Sequence, residues 1–243
     1  MEKIICYENL RNFAYCNDAL IKGRPKGIML KFTGLGWAGM CDTDPNYALE
    51  FAEQGILFVI PYCNPWAWMN RQAVRLVDEI VDVLCEKYQL DPETVKIAST
   101  GMSMGGLSAL VYCAYAKITP CVCVTNCPVC DLVYHFTERP DLPRTLYSAF
   151  GEYEGTMEQA LMSASPIHLA ERLPDIPYTI YHCEEDKAVN IDKHSRTFVE
   201  KMQAKHSIVL KPVPQRGHCD LSEETMGEFN RTIAEGILPP GHK

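Results

Sequence analysis

"VKIASTGMSMGGLSALVYCAYA", residues 95–116, decides how the chain is to be read. It combines a buried-strand pattern, a serine between glycines, and an amphipathic helix. Its centre is G-x-S-x-G, here Gly101-Met102-Ser103-Met104-Gly105, with Gly106 following. Such a motif belongs at a sharp strand-to-helix turn, where small flanking residues let the backbone pass close to its neighbours and a strained serine is tolerated. Ser103 is therefore the candidate nucleophile. The alternative is a serine that only caps a helix after a tight glycine turn.

Outward from this stretch, short β-rich runs alternate with helical patterns. The strand candidates are "KIICY", "NFAYC", "GIMLKFT" (27–33), "ILFVIP" (56–61), "VKIASTG" (95–101), "CVCVTN" (121–126), "YTIYHC" (178–183) and "SIVLKPV" (207–213). Between them, "DPNYALEFAEQG", "RQAVRLVDEIVDVLCEKY", "SMGGLSALVYCAYA", "IDKHSRTFVEKMQA" and "LSEETMGEFNRTIAEGI" repeat apolar residues at three- and four-residue steps, as amphipathic helices do. Regular alternation with nearly all-apolar central strands implies an α/β fold: a mostly parallel sheet of about eight strands with helices on both faces. Residues 131–176 break the rhythm after the sixth strand candidate and are expected to form a lid or substrate-binding insertion. With 243 residues and 47% hydrophobic content, one domain over 1–243 is the simplest organisation.

The net charge of −8, without a basic cluster, offers no electrostatic footprint for nucleic acid or an anionic membrane. A small-molecule partner is expected instead. No run approaches the ~18 apolar residues of a membrane span, and the N-terminal stretch has no signal-peptide pattern, so the expected location is the cytoplasm. The twelve cysteines are then expected to be reduced, many acting as small buried hydrophobes. Oligomeric state is left open, a homodimer included.

A serine hydroxyl needs a base, and the base works best when a carboxylate fixes its tautomer and stabilises its charged form. Seven histidines compete. His135 and His168 lie in or beside the insertion, His182 within a strand, His194 and His206 in or after a helix, and His242 at the tail. Only His218 sits on a turn after a late strand, beside Gly217. Its ordinary pKa, near ~6.5, predicts that activity falls as pH drops through it. Among the acids after "YTIYHC", Asp186 precedes an apolar residue that can anchor its loop; Asp192, Glu185 and Asp220 are alternatives. Two backbone N–H donors must face the developing oxyanion. Met104, just after the nucleophile, supplies one, and "FTGLGWAGM" supplies the other from Leu35, with Gly36 and Trp37 as alternatives.

These residues resemble the α/β-hydrolase superfamily, and within it the catalytic domain of the prolyl oligopeptidase-like and esterase group. The similarity runs from "KGIMLKFTGLGWAG" through "LDPETVKIASTGMSMGG" and "SASPIHLAERLPDIPYTIYHCEEDKAVNIDKHSRTFVEKMQ" to "RGHCDL". It implies the chain order serine, acid, histidine. "HCEEDKAV" resembles the family's His-Gly-x-x-Asp-x-x-Val segment with cysteine for glycine, which implies Asp186 as the acid, and "ASPIHLA" resembles its Ser-Pro segment. Where the family carries His-Gly in the oxyanion loop, this chain has Thr33-Gly34. The peptidases of the group also carry a large N-terminal propeller, for which 243 residues leave no room. An ester hydrolase is accordingly expected, needing no cofactor; a small peptidase or amidase, or an inactive binding protein of the same fold, are the alternatives.

"PYCNPWAWMN" offers Tyr62, Trp66 and Trp68 near the site. Trp66 and Trp68, with Trp37, are expected to line the substrate pocket, although plain packing is an alternative. One stretch suggests different chemistry: "CVCVTNCPVC" carries Cys121, Cys123, Cys127 and Cys130, the last two at C-x-x-C spacing. Strand alternation sends Cys121 and Cys123 to one face and Val122 and Val124 to the other, which makes a four-thiolate metal site awkward. No metal is expected there, and Cys127 and Cys130 become candidate walls of the Ser103 pocket.

Overall fold

The computed structural model describes residues 4–238. Seven strands form one sheet: β1 (Ala14–Cys16), β2 (Gly27–Phe32), β3 (Ile56–Pro61), β4 (Ile97–Met102), β5 (Val122–Asn126), β6 (Tyr178–Cys183) and β7 (Ile208–Val213). Their order is β1-β3-β2-β4-β5-β6-β7, with only β1 antiparallel to its neighbour. Helices α1 (Asn46–Glu53), α2 (Arg71–Tyr88), α3 (Met104–Tyr115), α7 (Thr197–Met202) and α8 (Glu223–Ile237) cover the faces; α4 (Leu132–Glu138), α5 (Leu142–Phe150) and α6 (Met157–Met162) make up the excursion after β5.

The expected first strand, "KIICY", is the main departure, and Lys3 lies outside the described residues. A 3₁₀-helix occupies Tyr7–Asn12. Asn9 explains the change: its Oδ1 accepts the Cys6 N–H at 2.9 Å and its Nδ2 donates to the Ile4 carbonyl at 3.0 Å. Those local bonds take up backbone groups that a strand would pair across a sheet. The sheet thus has seven strands rather than about eight, and the insertion follows the fifth.

Two cores flank the sheet. β-strand alternation places Leu57 and Val59 in the larger and Ile56, Phe58 and Ile60 in the smaller. Helix α2 illustrates how sequence becomes packing. Asn70 caps it by accepting the Ala73 N–H at 3.0 Å, Val74, Val77, Val81 and Leu84 turn one stripe into the larger core, and Gln89 ends it at φ 53. The insertion shares this core through Leu132, Leu142, Leu146 and Phe150.

Ser103 sits where β4 turns into α3, at φ 58 and ψ −125. Glycine is required around it by close approach. A Cβ on Gly101 would strike the Gly105 carbonyl, one on Gly105 the Phe32 and Thr33 carbonyls, and one on Gly106 would lie 2.9 Å from Pro128 Cα. The ends of β2 and β5 are thereby drawn against the start of α3. Gly105→Ala is expected to cost about 3 kcal/mol of unfolding free energy, because the clash is with backbone that cannot rotate away. Gly217→Ala, whose Cβ would meet nothing within 4 Å, should stay within about 0.5 kcal/mol of the parent, both variants being compared with it by urea titration.

Candidate active site

Three loops at the C-terminal edge of the sheet bring Ser103, Asp186 and His218 together. His218 Nε2 lies 2.9 Å from Ser103 Oγ, and His218 Nδ1 lies 2.6 Å from Asp186 Oδ2. A carboxylate only accepts, so Nδ1 carries a proton, and when the ring is neutral Nε2 presents its lone pair to the serine hydroxyl. Asp186 is held from its other side, where Oδ1 accepts the Ala188 N–H at 2.8 Å and the Val189 N–H at 3.0 Å. Its side chain has no solvent exposure, whereas that of His218 is 31% exposed.

The acid alternatives are engaged elsewhere or face solvent. Asp192 pairs with Arg196, Asp220 with Arg216 at 3.1 Å, and Glu185 is exposed. Asn190 caps the segment that follows, its Oδ1 accepting the Asp192 and Lys193 N–H groups. His242 lies outside the described residues. The loop that carries His218 does not depend on Gly217, whose φ is not left-handed; Gln215 at φ 57 before the histidine and Cys219 at φ 59 after it make the turns.

Electrostatics follow from these contacts. Burial alone would raise the Asp186 pKa, but hydrogen bonds from His182, His218 and the Val189 and Ala188 amides outweigh it and hold the carboxyl well below the usual range. For His218, burial opposes the charge, yet the Asp186 and then the Cys127 hydrogen bonds prevail, and its pKa is pushed up to about 9. The ring is thus charged at neutral pH in the resting protein. Because the folded-state pKa is the higher one, its stabilising contribution is complete below about 6.5 and lost as pH rises through about 9.

His182 had no marked role in the sequence, being one histidine inside a strand, but it stands behind Asp186. Its Nδ1 accepts from Ser195 Oγ at 2.7 Å; its Nε2–H donates to the Val189 carbonyl at 3.0 Å and approaches Asp186 Oδ2 at 3.5 Å. The i, i+4 spacing of His182 and Asp186 was the available signal. A second buried network joins the insertion to the acid loop. Glu138 Oε2 meets His135 Nδ1 at 2.6 Å and His194 Nε2 at 3.0 Å, and Oε1 accepts the Asn190 N–H at 3.1 Å. These three side chains have the proximity of a metal site. Their own hydrogen bonds argue otherwise: His194 Nδ1 already accepts the Cys130 and Asp131 N–H groups, which puts its proton on Nε2, facing Glu138.

Of the expected oxyanion donors, Met104 begins α3 and Leu35 lies on the loop beyond β2. The alternatives are occupied: the Gly36 N–H donates to the Pro65 carbonyl at 3.0 Å and the Trp37 N–H to the Gly34 carbonyl at 3.3 Å. Among the described residues, the Met104 and Leu35 amides find no acceptor.

The expected pocket residues divide. Trp66 is exposed beneath the Arg144 guanidinium, 6.0 Å from its ring centre, and Trp37 leans on Tyr62. Trp68 is enclosed, its Nε1–H donating to Thr145 Oγ1 at 3.1 Å, and so joins α5 to the core instead of facing an open pocket. Cys127 and Cys130 are likewise fully enclosed. A cavity of about 100 Å³ reaches Gly101 and Met102 and is lined further by Lys31, Tyr47 and Phe229; none of Trp37, Trp66, Trp68 or Cys127 lines it. The four clustered cysteines do not converge. Cys123 packs in the larger core, whereas Cys121, which precedes β5 and therefore escapes its alternation, packs on the smaller with Val122 and Val124, its Sγ on the Gly236 carbonyl.

This combination of sheet order, strand-to-helix serine turn and surrounding helices is the α/β-hydrolase fold. No protein-family model and no curated protein matches the sequence. Solved structures match over most of its length. The acylaminoacyl peptidase of Pyrococcus horikoshii aligns with a TM-score of 0.68 at 14% identity, covering 91% of this chain and 39% of that one. Esterase B from Lactobacillus Rhamnosis aligns at 0.68 and 15% identity, covering 89% and 78% respectively. Thermogutta terrifontis esterase 2 aligns at 0.63 and 18% identity, covering 93% and 91%. The chain thus spans about two fifths of the length of the acylaminoacyl peptidases it matches. Among the described residues, no helix is long and apolar enough to cross a membrane.

The His218 ring protons, followed by NMR, are expected to titrate with a midpoint near 9, and Asp186→Asn should lower that midpoint by about two units. A midpoint at or below 6.5 in the parent protein would contradict the Asp186 contact.

Proposed function

We propose that the chain is a serine hydrolase that cleaves small carboxylic esters through an acyl-enzyme intermediate. The observation that carries this reading is the unbroken chain Asp186–His218–Ser103, at 2.6 and 2.9 Å, on a serine held at positive φ. Esterases among the solved structures of similar fold support the substrate class.

Ser103 Oγ attacks the carbonyl carbon as its proton passes to His218 Nε2, and Asp186 stabilises the resulting imidazolium. The negative oxygen of the tetrahedral intermediate is met by the uncommitted Met104 and Leu35 amides. Collapse expels the alcohol, which takes the proton from His218. Water then repeats the sequence on the acyl-enzyme and frees Ser103. No step calls for a cofactor, and the partner is the small-molecule ester itself. Peptidase or amidase action is the second reading, favoured by the acylaminoacyl peptidases of similar fold; paired assays on aminoacyl esters and aminoacyl amides separate it from the first.

Ser103→Ala is expected to reduce hydrolysis of short-chain p-nitrophenyl esters by at least about 10³-fold and to abolish fluorophosphonate labelling. Retention of either in the folded variant would refute the nucleophile assignment. Since His218 acts only when neutral, kcat/KM should rise with pH, about tenfold per unit, until it levels near 9. A flat profile would remove His218 as the base.

A further inference from the structure

Beside the Ser103 hydroxyl, three donor atoms converge that the hydrolytic scheme does not use together. Cys127 Sγ, Cys219 Sγ and an imidazole nitrogen of His218 lie within 4.8 Å of one another. Cys219 Sγ faces His218 Nε2 at 3.6 Å. A tetrahedral zinc ion, with bonds of about 2.0 Å to imidazole nitrogen and about 2.3 Å to thiolate, holds those two donors about 3.5 Å apart. The Cys219–His218 spacing is therefore that of a zinc site, and Cys127 Sγ stands within 4.8 Å of both donors, so that closing on an ion is a matter of about an ångström.

The surroundings match the donors. His218 Nδ1–H donates to the buried Asp186 carboxylate, the arrangement that fixes a metal-binding histidine with its lone pair on the other nitrogen. The Cys183 N–H donates to Cys127 Sγ at 3.4 Å, a contact that favours the thiolate, although the neighbouring Cys219 thiol and burial outweigh it and leave the Cys127 pKa raised in the metal-free protein. Cys127 and Cys219 stand at φ 47 and φ 59, a backbone region that side-chain-bearing residues adopt rarely and that turns both toward the histidine here. Cys127 is enclosed, so an ion would approach across the more exposed Cys219 and His218. Ser103 Oγ, 2.9 Å from Nε2, marks the side left for a fourth, oxygen ligand.

We propose that Cys127, Cys219 and His218 form an inhibitory site for a thiophilic divalent cation, zinc being the ion whose bond lengths fit. On binding, two Zn–S bonds form as both thiols release their protons to water, and the His218 ring likewise gives up its Nε2 proton to water so that the Nε2 lone pair is donated to the metal. No atom changes oxidation state. The lone pair that would accept the Ser103 proton is then engaged, so the base is withdrawn for as long as the ion stays.

The inhibitory consequence rests on the serine hydrolase reading, whereas binding does not, and the experiment separates them. Reduced protein stripped with EDTA is titrated with ZnCl₂ by calorimetry and with CoCl₂ by absorption. One equivalent is expected to bind, with a thiolate-to-cobalt charge-transfer band. Cys219→Ala should weaken zinc binding at least 100-fold and diminish the band, Cys219→Ser should do the same, and the exposed Cys6→Ala should do neither. Ester hydrolysis should be lost at one equivalent of zinc, restored by excess EDTA, and equal with and without that equivalent in Cys219→Ala. Zinc binding in folded Cys219→Ala within threefold of the parent, or no charge-transfer band at one equivalent of cobalt, would overturn the site. Tight binding with undiminished hydrolysis would overturn its inhibitory role.

Discussion

The rest of the structure depends on how closely three pieces of backbone approach at the turn after β4. Gly101 lies against the Gly105 carbonyl, Gly105 against the end of β2, and Gly106 against Pro128. Only hydrogen fits in those positions, and between them Ser103 takes a positive-φ conformation, φ 58 and ψ −125, that costs on the order of 1–3 kcal/mol. The surrounding core supplies the stabilisation that maintains it: α3 is enclosed from Met104 to Cys113. A side chain displayed from a strained turn at the edge of a sheet, with the first amides of a helix beside it, is positioned before any substrate arrives. Pre-organisation of that kind is what the proposed nucleophile and oxyanion site require.

The second organising element is the buried carboxylate. Asp186 is shielded from water and remains ionised because two backbone amides and two histidines surround it. His218 takes its orientation and raised pKa from this one contact more than from any other favourable one. Ser195 orients His182, which borders Asp186; Asn190, on the same loop, is tied through Glu138 to α4 of the insertion. The excursion between β5 and β6 is therefore coupled to the acid loop by hydrogen bonds as well as by apolar packing.

Cysteine chemistry gathers around the same histidine by a different route from that suggested by the run of four. Cys127 comes from the loop after β5, Cys183 from the end of β6 and Cys219 from the loop after β7. They are distant in sequence and adjacent in space because neighbouring parallel strands end at the same edge. The C-x-x-C spacing of Cys127 and Cys130 was the conspicuous feature, yet Cys130 turns away, its Sγ on the Pro128 carbonyl.

Much of the architecture was legible because strand and helix periodicities are local. Runs such as "ILFVIP" and "YTIYHC" became strands with the expected bounds, and glycines around Ser103 declared the turn. The first run misled because Asn9 satisfies its own neighbours' backbone, a side-chain choice that an apolar pattern does not reveal. Likewise Trp68 reads as a pocket aromatic in the sequence but is claimed by Thr145, 77 residues away. By itself the sequence determined the α/β class and the strand-to-helix turn at Ser103, which depend on local pattern, while the order serine, acid, histidine was what the family resemblance of its motifs implied. Only the tertiary structure decided that His182 borders Asp186 and that Cys219 faces the His218 ring, because these are contacts between loops that parallel strands deliver to one edge.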